Sequence, residues 1–176
     1  MALPHTMAAV LLIGHGGLDK LEYRTDVSVP QPAADEVLIQ VDAAAVNNTD
    51  INTRLGWYSK TVEEATNVGG AEGFSEISND DAGWSGTPLK FPRIQGADVV
   101  GHIVAVGSAV DASRIGERVM VRNMLRHYVD RRHYESWTLG SECDGGFAQF
   151  VAIASAETHA VLSDWSDAAL AAVPCS

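Results

Sequence analysis

Asn47, Asn48, Thr49 and Asp50 stand in a row, and Trp57 and Tyr58 follow within one or two helical turns. Asn47 carries an amide N–H, Thr49 a hydroxyl and Tyr58 a phenol, three neutral groups that can hydrogen-bond an oxygen. A second polar group, Gln95-Gly96-Ala97-Asp98, opens the run Val99-Val100-Gly101. On a strand, Asp98 and His102 would share one face. With Asp50, His127 and His133 they are the residues that could bind a cation, but their spacing is not that of a compact ligand set. Asp98 is therefore expected in a turn or supporting role, His102 as a strand residue, and no metal site is assigned. The same residues have plain structural uses. Asn48 or Thr49 can cap a short helix over 49–54. Asp50 can hold a turn or pair with Arg54 four residues on, and Trp57 and Tyr58 can be packing aromatics.

The elements that must position these groups are mostly strands. Runs at 8–13, 36–42, 99–106, 118–122, 147–153 and 159–162 are short, apolar or alternating, and bounded by Gly, Pro and Asp. That pattern predicts an all-β barrel or sandwich. Helices are expected over 49–54 and 166–173, the second with Ser166 as N-cap and Asp167 in its first turn. The second helix should have little to pack on, so an apolar exposed face is expected near Asp167 to Val173. Two irregular inserts, 59–92 and 123–144, are long enough to be functional or mobile. Phe74, Trp84 and Trp137 within them could form a lid over an apolar substrate, or simply anchor surface loops.

The 176 residues suffice for one domain with a real core. A net charge of -11 disfavours a nucleic-acid partner, because phosphate binding needs a basic surface. The one basic cluster, Arg122 to Arg132, is interrupted by Asp130 and reads as a solvated loop. No apolar run is long enough to span a bilayer, so no membrane partner is expected. Residues 1–6 lack signal-peptide character and read as a disordered leader. Cys143 and Cys175 read as free thiols, which suits the cytoplasm.

Taken in order, these segments resemble the medium-chain dehydrogenase/reductase family. The resemblance rests on Pro30-Gln-Pro32, Asp35-Glu-Val-Leu-Ile39, Asn47-Asn-Thr-Asp50 and Gly96-Ala-Asp-Val-Val-Gly101. Ile115-Gly-Glu-Arg-Val119 and Asp144-Gly-Gly-Phe-Ala-Gln-Phe-Val151 complete it. It implies a mainly β fold, a GroES-like partly open β-barrel with a few short helices, over residues 7–162. Residues 163–176 would begin a helical connection to a nucleotide-binding Rossmann domain that this chain does not contain, since no Gly-x-Gly-x-x-Gly occurs in it.

Zinc-using relatives place a Cys where this chain has Asn47 and a His where it has Ala97. An amide and a methyl supply no zinc donor. The four closely spaced cysteines of the structural zinc lobe are also missing from 123–143. The zinc-free branch, similar to quinone oxidoreductases, has an Asn, then an Asp, then Arg-x-Gly-x-Tyr, matched here by Asn47, Asp50, Arg54, Gly56 and Tyr58. The resemblance therefore implies NADP(H) as cofactor, no zinc, and hydride transfer to a carbonyl, enone or quinone. Asn47 and Thr49 would polarise the substrate oxygen and move its proton. Trp57 and Tyr58 would bind substrate, while Asp50, Arg54 and Asp98 would support them. Cofactor-binding residues would lie in the missing domain, the isolated chain would be inactive, and the parent would be a homo-oligomer. Two alternatives stand beside this reading: a zinc alcohol dehydrogenase with relocated ligands, and a non-catalytic GroES-like binding module.

Overall fold

A computed structural model describes residues 3–74, 77–78, 80–130 and 136–174. Its strands in chain order are β1 (Thr6–Leu12), β2 (Leu21–Ser28), β3 (Glu36–Ala45), β4 (Arg93–Ile94), β5 (Asp98–Val106), β6 (Arg118–Val121), β7 (Met124–Leu125), β8 (Trp137–Thr138), β9 (Phe150–Ala154) and β10 (Thr158–Ala160). The helices are α1 (Asn48–Leu55) and α2 (Asp167–Ala171). Among the described residues no helix is long and apolar enough to cross a membrane.

Strand β3 is the spine. It pairs antiparallel with β5 on one side and β9 on the other, within a sheet ordered β10-β6-β5-β3-β9. A second sheet, β2-β1-β4, is stitched to the first ahead of β9. Val10 N–H donates to Phe147 O at 2.8 Å, and Gln149 N–H to Ala8 O at 3.0 Å. The two sheets so joined make a partly open, mainly β barrel. A two-stranded ribbon, β7-β8, completes it.

The pleat explains why β3 carries an unbroken apolar run. Val37 and Ile39 point into a core with Val99, Ile103, Val119 and Ile153, while Leu38 points the other way onto Met7, Ala9 and Phe150. Both faces are covered, so alternation is lost and hydrophobicity is continuous. Each such side chain contributes about 1.5–3 kcal/mol by burial.

Several expectations need correction. Ordered structure begins inside the expected leader, since Thr6 opens β1 and His5 O accepts from Val29 N. Strand β2 was not expected because its residues are polar on both faces. It is an edge strand whose side chains are mostly exposed, held by its backbone ladder to β1. The basic stretch after Arg122 is not a solvated loop throughout. Leu125 and Val129 are buried, and the buried Glu157 carboxylate accepts the amides of Arg126 and His127. Residues 131–135, including His133, lie outside the described residues, as does Cys175.

Helix α2 does find a surface. Ser166 caps it, as expected, through its hydroxyl and Ala169 N. Leu170 and Ala171 are buried against Val100, Ala43, Ala45, Met120 and Val161 on the outer face of the large sheet. Arg118 locks the approach, donating to Asp167 Oδ1 (2.8 Å), Ser163 O (2.8 Å) and Trp165 O (2.7 Å). Of the apolar exposure expected near Asp167 to Val173, Val173 shows it, and Leu162 and Trp165 ahead of the helix are exposed as well.

Candidate active site

Where β3 runs out, Asn47 turns the chain into α1. Its backbone is extended (φ -120°, ψ 165°). Its side-chain oxygen accepts from Thr49 N at 3.3 Å, and its own N–H donates to Asp50 Oδ2 at 2.9 Å. This reciprocal capping box satisfies two N–H groups at the helix start. Asn47 is thus the cap, and Asn48 and Thr49 are the first helical residues, which corrects both the expected cap and the helix limits. Gly56, at φ 77°, closes the helix in the left-handed conformation.

The other end of the Asn47 amide reaches across to β5. Its Nδ2 donates to Asp98 Oδ2 at 3.3 Å, while Asn123 Nδ2 donates to Asp98 Oδ1 at 3.2 Å. One buried carboxylate is therefore held by amides from two strand ends. Asp50 is buried beside it. Asp50 Oδ1 accepts from Gly96 N at 3.0 Å, and Gln95 Nε2 donates to Asp50 O at 2.8 Å. Burial raises the pKa of Asp50, and the negative charge of Asp98 raises it further, against the backbone amides of Asn47, Gly96 and Ala97. Burial likewise raises that of Asp98, opposed by the bonds from Asn123 and Asn47.

Asn123 was missed as a site residue because it was read as the start of an insert. The signal was present in β6. The inward period of two at Val119 and Val121 continues through Asn123 to Leu125, all four buried. An amide on that inner row must find a partner, and Asp98 is the partner.

Gly96 explains how the second segment approaches so closely. Its φ is 104°, and a Cβ there would lie 2.6 Å from Phe147 N. Gly140, at φ 84°, packs against it from the second insert, with its own would-be Cβ 2.8 Å from Gly96 N.

Other expected partnerships do not form. Arg54 does not pair with Asp50. It donates to Gly16 O and to Ala71 O, fastening the turn after β1 and part of the first insert to α1. His102 pairs with Asp42 of β3, and His127 with Asp35. Among the described residues no group of three or more His, Cys, Asp or Glu is arranged to hold a metal. Among the described residues, the Asn47 position brings together two amides and the Asp98 carboxylate, which both amides already engage. Zinc takes three thiolate, imidazole or carboxylate ligands from protein at a catalytic site, so this set does not fit it.

The aromatics divide. Tyr58 packs edge-to-face with Trp57 (centroids 5.5 Å) and with Trp84 of the first insert (5.1 Å). Trp57 Nε1 donates to Glu64 O at 3.0 Å and so anchors that insert. Trp137 stacks on Tyr128 at 5.2 Å and packs against the main core, and Phe74 lies against Gly69. Of the expected lid, Trp84 meets Tyr58, while Trp137 is partly buried against the main core.

Residues 33–163 match the alcohol dehydrogenase GroES-like domain. A mitochondrial NAD(P)H oxidoreductase of Dictyostelium discoideum is 32% identical over 114 residues, which are 64% of this chain and 26% of that protein. A quinone oxidoreductase of Lama guanicoe is 32% identical over 119 residues, 68% of this chain and 28% of that protein. A solved structure of a candidate alcohol dehydrogenase from Sinorhizobium meliloti 1021 is 45% identical with a TM-score of 0.78, covering 96% of this chain and 44% of that one. The chain thus spans about a quarter of the length of these curated relatives.

Proposed function

Because the chain belongs to the alcohol dehydrogenase GroES-like domain family, we propose that it is the substrate-binding half of a nicotinamide-dependent oxidoreductase that works without zinc. The observation that carries the reading is the Asn47 amide, held by Asp98 where zinc-using relatives keep a metal ligand. Asn47 and Thr49 lie at the start of α1, where the helix dipole adds positive potential toward a substrate oxygen. In this role Asn47 orients and polarises a carbonyl, enone or quinone oxygen by hydrogen bonding. The Thr49 hydroxyl passes it a proton. Trp57 and Tyr58 line the substrate's apolar side. Asp50, Arg54, Asp98 and Asn123 fix the geometry. The nicotinamide, bound by a Rossmann domain following in cis, supplies the hydride.

We assign NADP(H) as the cofactor; a nicotinamide is supported by relatives that include an Arabidopsis thaliana NADPH-dependent alkenal/one oxidoreductase. We place the whole protein in the cytoplasm as a homo-oligomer acting on a small molecule, and expect no turnover from these 176 residues alone. The test is NADPH oxidation by the full-length protein with an enone or a quinone, after metal analysis. Turnover unaffected by a chelator supports the reading. One tightly bound zinc per chain would replace it with a zinc alcohol dehydrogenase. Failure to bind either nicotinamide would leave a GroES-like binding module.

A further inference from the structure

The seam between the two sheets is closed at one end and parts at the other. Ala9 faces Ala148 in an antiparallel bridge, and Gln149 N–H donates to Ala8 O at 3.0 Å. There the ladder stops, because the next donor is diverted: Ala8 N–H goes to the side-chain Oε1 of Gln149 at 2.9 Å. Strand β1 is irregular at the same point, its register on β2 shifting between Met7 and Ala9. Beyond it, Met7 pairs with Val27 of β2, whereas Val151 and Ala152 pair with Ile39 and Leu38 of β3. Each strand is thus held on its far side while the two draw apart.

A cavity of about 220 Å³ occupies the parting. Met7, Ile94, Phe150 and Val151 line it and are all buried, so it is a recess in the core rather than a surface patch. Ala152 shares the face of Phe150, two residues on, and is too small to fill the space. Ser28 and Asp144 are the polar members of an otherwise apolar lining. Asp144 Oδ1 accepts from Arg93 Nη1 at 2.8 Å and from Ile94 N–H at 3.1 Å. Among the described residues nothing donates to Asp144 Oδ2, and the side chain is 55% exposed. Asn47, Thr49, Asp50 and Asp98 take no part in the lining.

We propose that this cavity is a binding site, separate from the candidate active site, for one compact apolar molecule that carries a hydrogen-bond donor. An apolar cavity of about 150 Å³ stays dry and accepts benzene. The larger volume here suits a fused two-ring heteroaromatic of about nine heavy atoms. Its apolar body leaves water for the wall made by Met7, Ile94 and Phe150, and its N–H or O–H donates to Asp144 Oδ2. A neutral donor suffices, since Arg93 already balances the charge of that carboxylate. The site does not depend on the oxidoreductase reading.

The experiment titrates indole and N-methylindole, which differ by the one N–H, into the full-length protein carrying methyl-labelled methionine, with M7L to assign the Met7 signal. Indole should move the buried Met7 methyl by its ring current and leave the exposed Met124 methyl in place. The shift should saturate with a Kd of about 0.1–1 mM, as expected of so small a ligand. N-methylindole should bind at least about fivefold more weakly, having lost a hydrogen bond to a charged group. A152L fills the cavity from within, and S28F narrows it from an exposed strand position that the fold tolerates. Each should weaken indole at least about tenfold. A Met7 methyl that stays in place up to about 5 mM indole would overturn the site. So would S28F and A152L that both bind as wild type does. Equal affinity for the two indoles would overturn the ligand class.

Discussion

Asp50 should be worth far more to this fold than a carboxylate at an exposed position. Its two oxygens accept the amides of Asn47 (2.9 Å) and Gly96 (3.0 Å), and the Ala97 amide also points to it. Replacement by Ala removes the acceptor for all three and breaks the capping box. A buried N–H left without a partner costs about 1–3 kcal/mol. The Asn47 amide, at the helix start, is the one most easily reached by water. Counting the two inner amides in full and the cap in part, D50A should lose about 3–5 kcal/mol, a large share of the roughly 5–15 kcal/mol a domain possesses. With a urea slope of about 2 kcal/mol/M, the midpoint should fall by about 2 M. D50N keeps one carbonyl oxygen and relieves the buried charge, but turns an NH2 toward an amide, so about half the loss is expected. The control is D26A, which removes an exposed pair with Arg24 and should change stability by less than about 0.5 kcal/mol. Urea titration of the 176-residue chain by circular dichroism measures all three. Coincident midpoints for D50A and D26A would refute the reasoning. So would a D50N variant as stable as wild type, because the carboxylate would then be holding nothing that an amide cannot.

The remaining predictions concern charge, reactivity and the outer helix. Burial raises the pKa of Asp98, so the folded state binds its proton more readily than the unfolded chain. That contribution to stability is complete below the ordinary value of 3.8 and fades as pH rises through the raised folded value. D98N should therefore flatten this part of the stability–pH curve just above 3.8, and a difference curve with no pH dependence there would contradict it. Burial pushes the Cys143 thiol up to about 12. In a C175S background, Ellman's reagent at pH 8 should react at least about a thousandfold more slowly with native than with guanidinium-unfolded chain, given an unfolded thiol near 8.5; rates within tenfold would refute this. R118A removes three anchors of α2, so amide exchange at Leu170 should accelerate about tenfold while Ile39 in the core is unchanged. G140A places a methyl against Gly96 N in a left-handed backbone and should cost about 2–4 kcal/mol by thermal melting.

Strands β3 and β5 were legible in the sequence because apolar runs between Gly, Pro and Asp have few other uses. Strand β2 was illegible because its stability comes from backbone pairing at an edge, where side-chain pattern is free to be polar. Helix α2 was legible as an element and misjudged as a surface. Nothing local to residues 166–173 says that the outer face of a sheet made by residues 43–45, 100 and 120 will be apolar enough to receive it. The site shows the same division. Reading Asn47 and Ala97 against a zinc-binding pattern locates what is missing, because ligand chemistry is a property of single residues. What stands in its place is a property of three segments far apart in the chain: the end of β3, the start of β5 and the second residue after β6. Asp98 can be buried there only because Asn47 and Asn123 both donate to it, and a buried carboxylate lacking such donors would be driven to its neutral form. The Asn47 side chain thus does two jobs at once, capping α1 through its oxygen and supplying through its NH2 one of the two donors that offset the burial of Asp98.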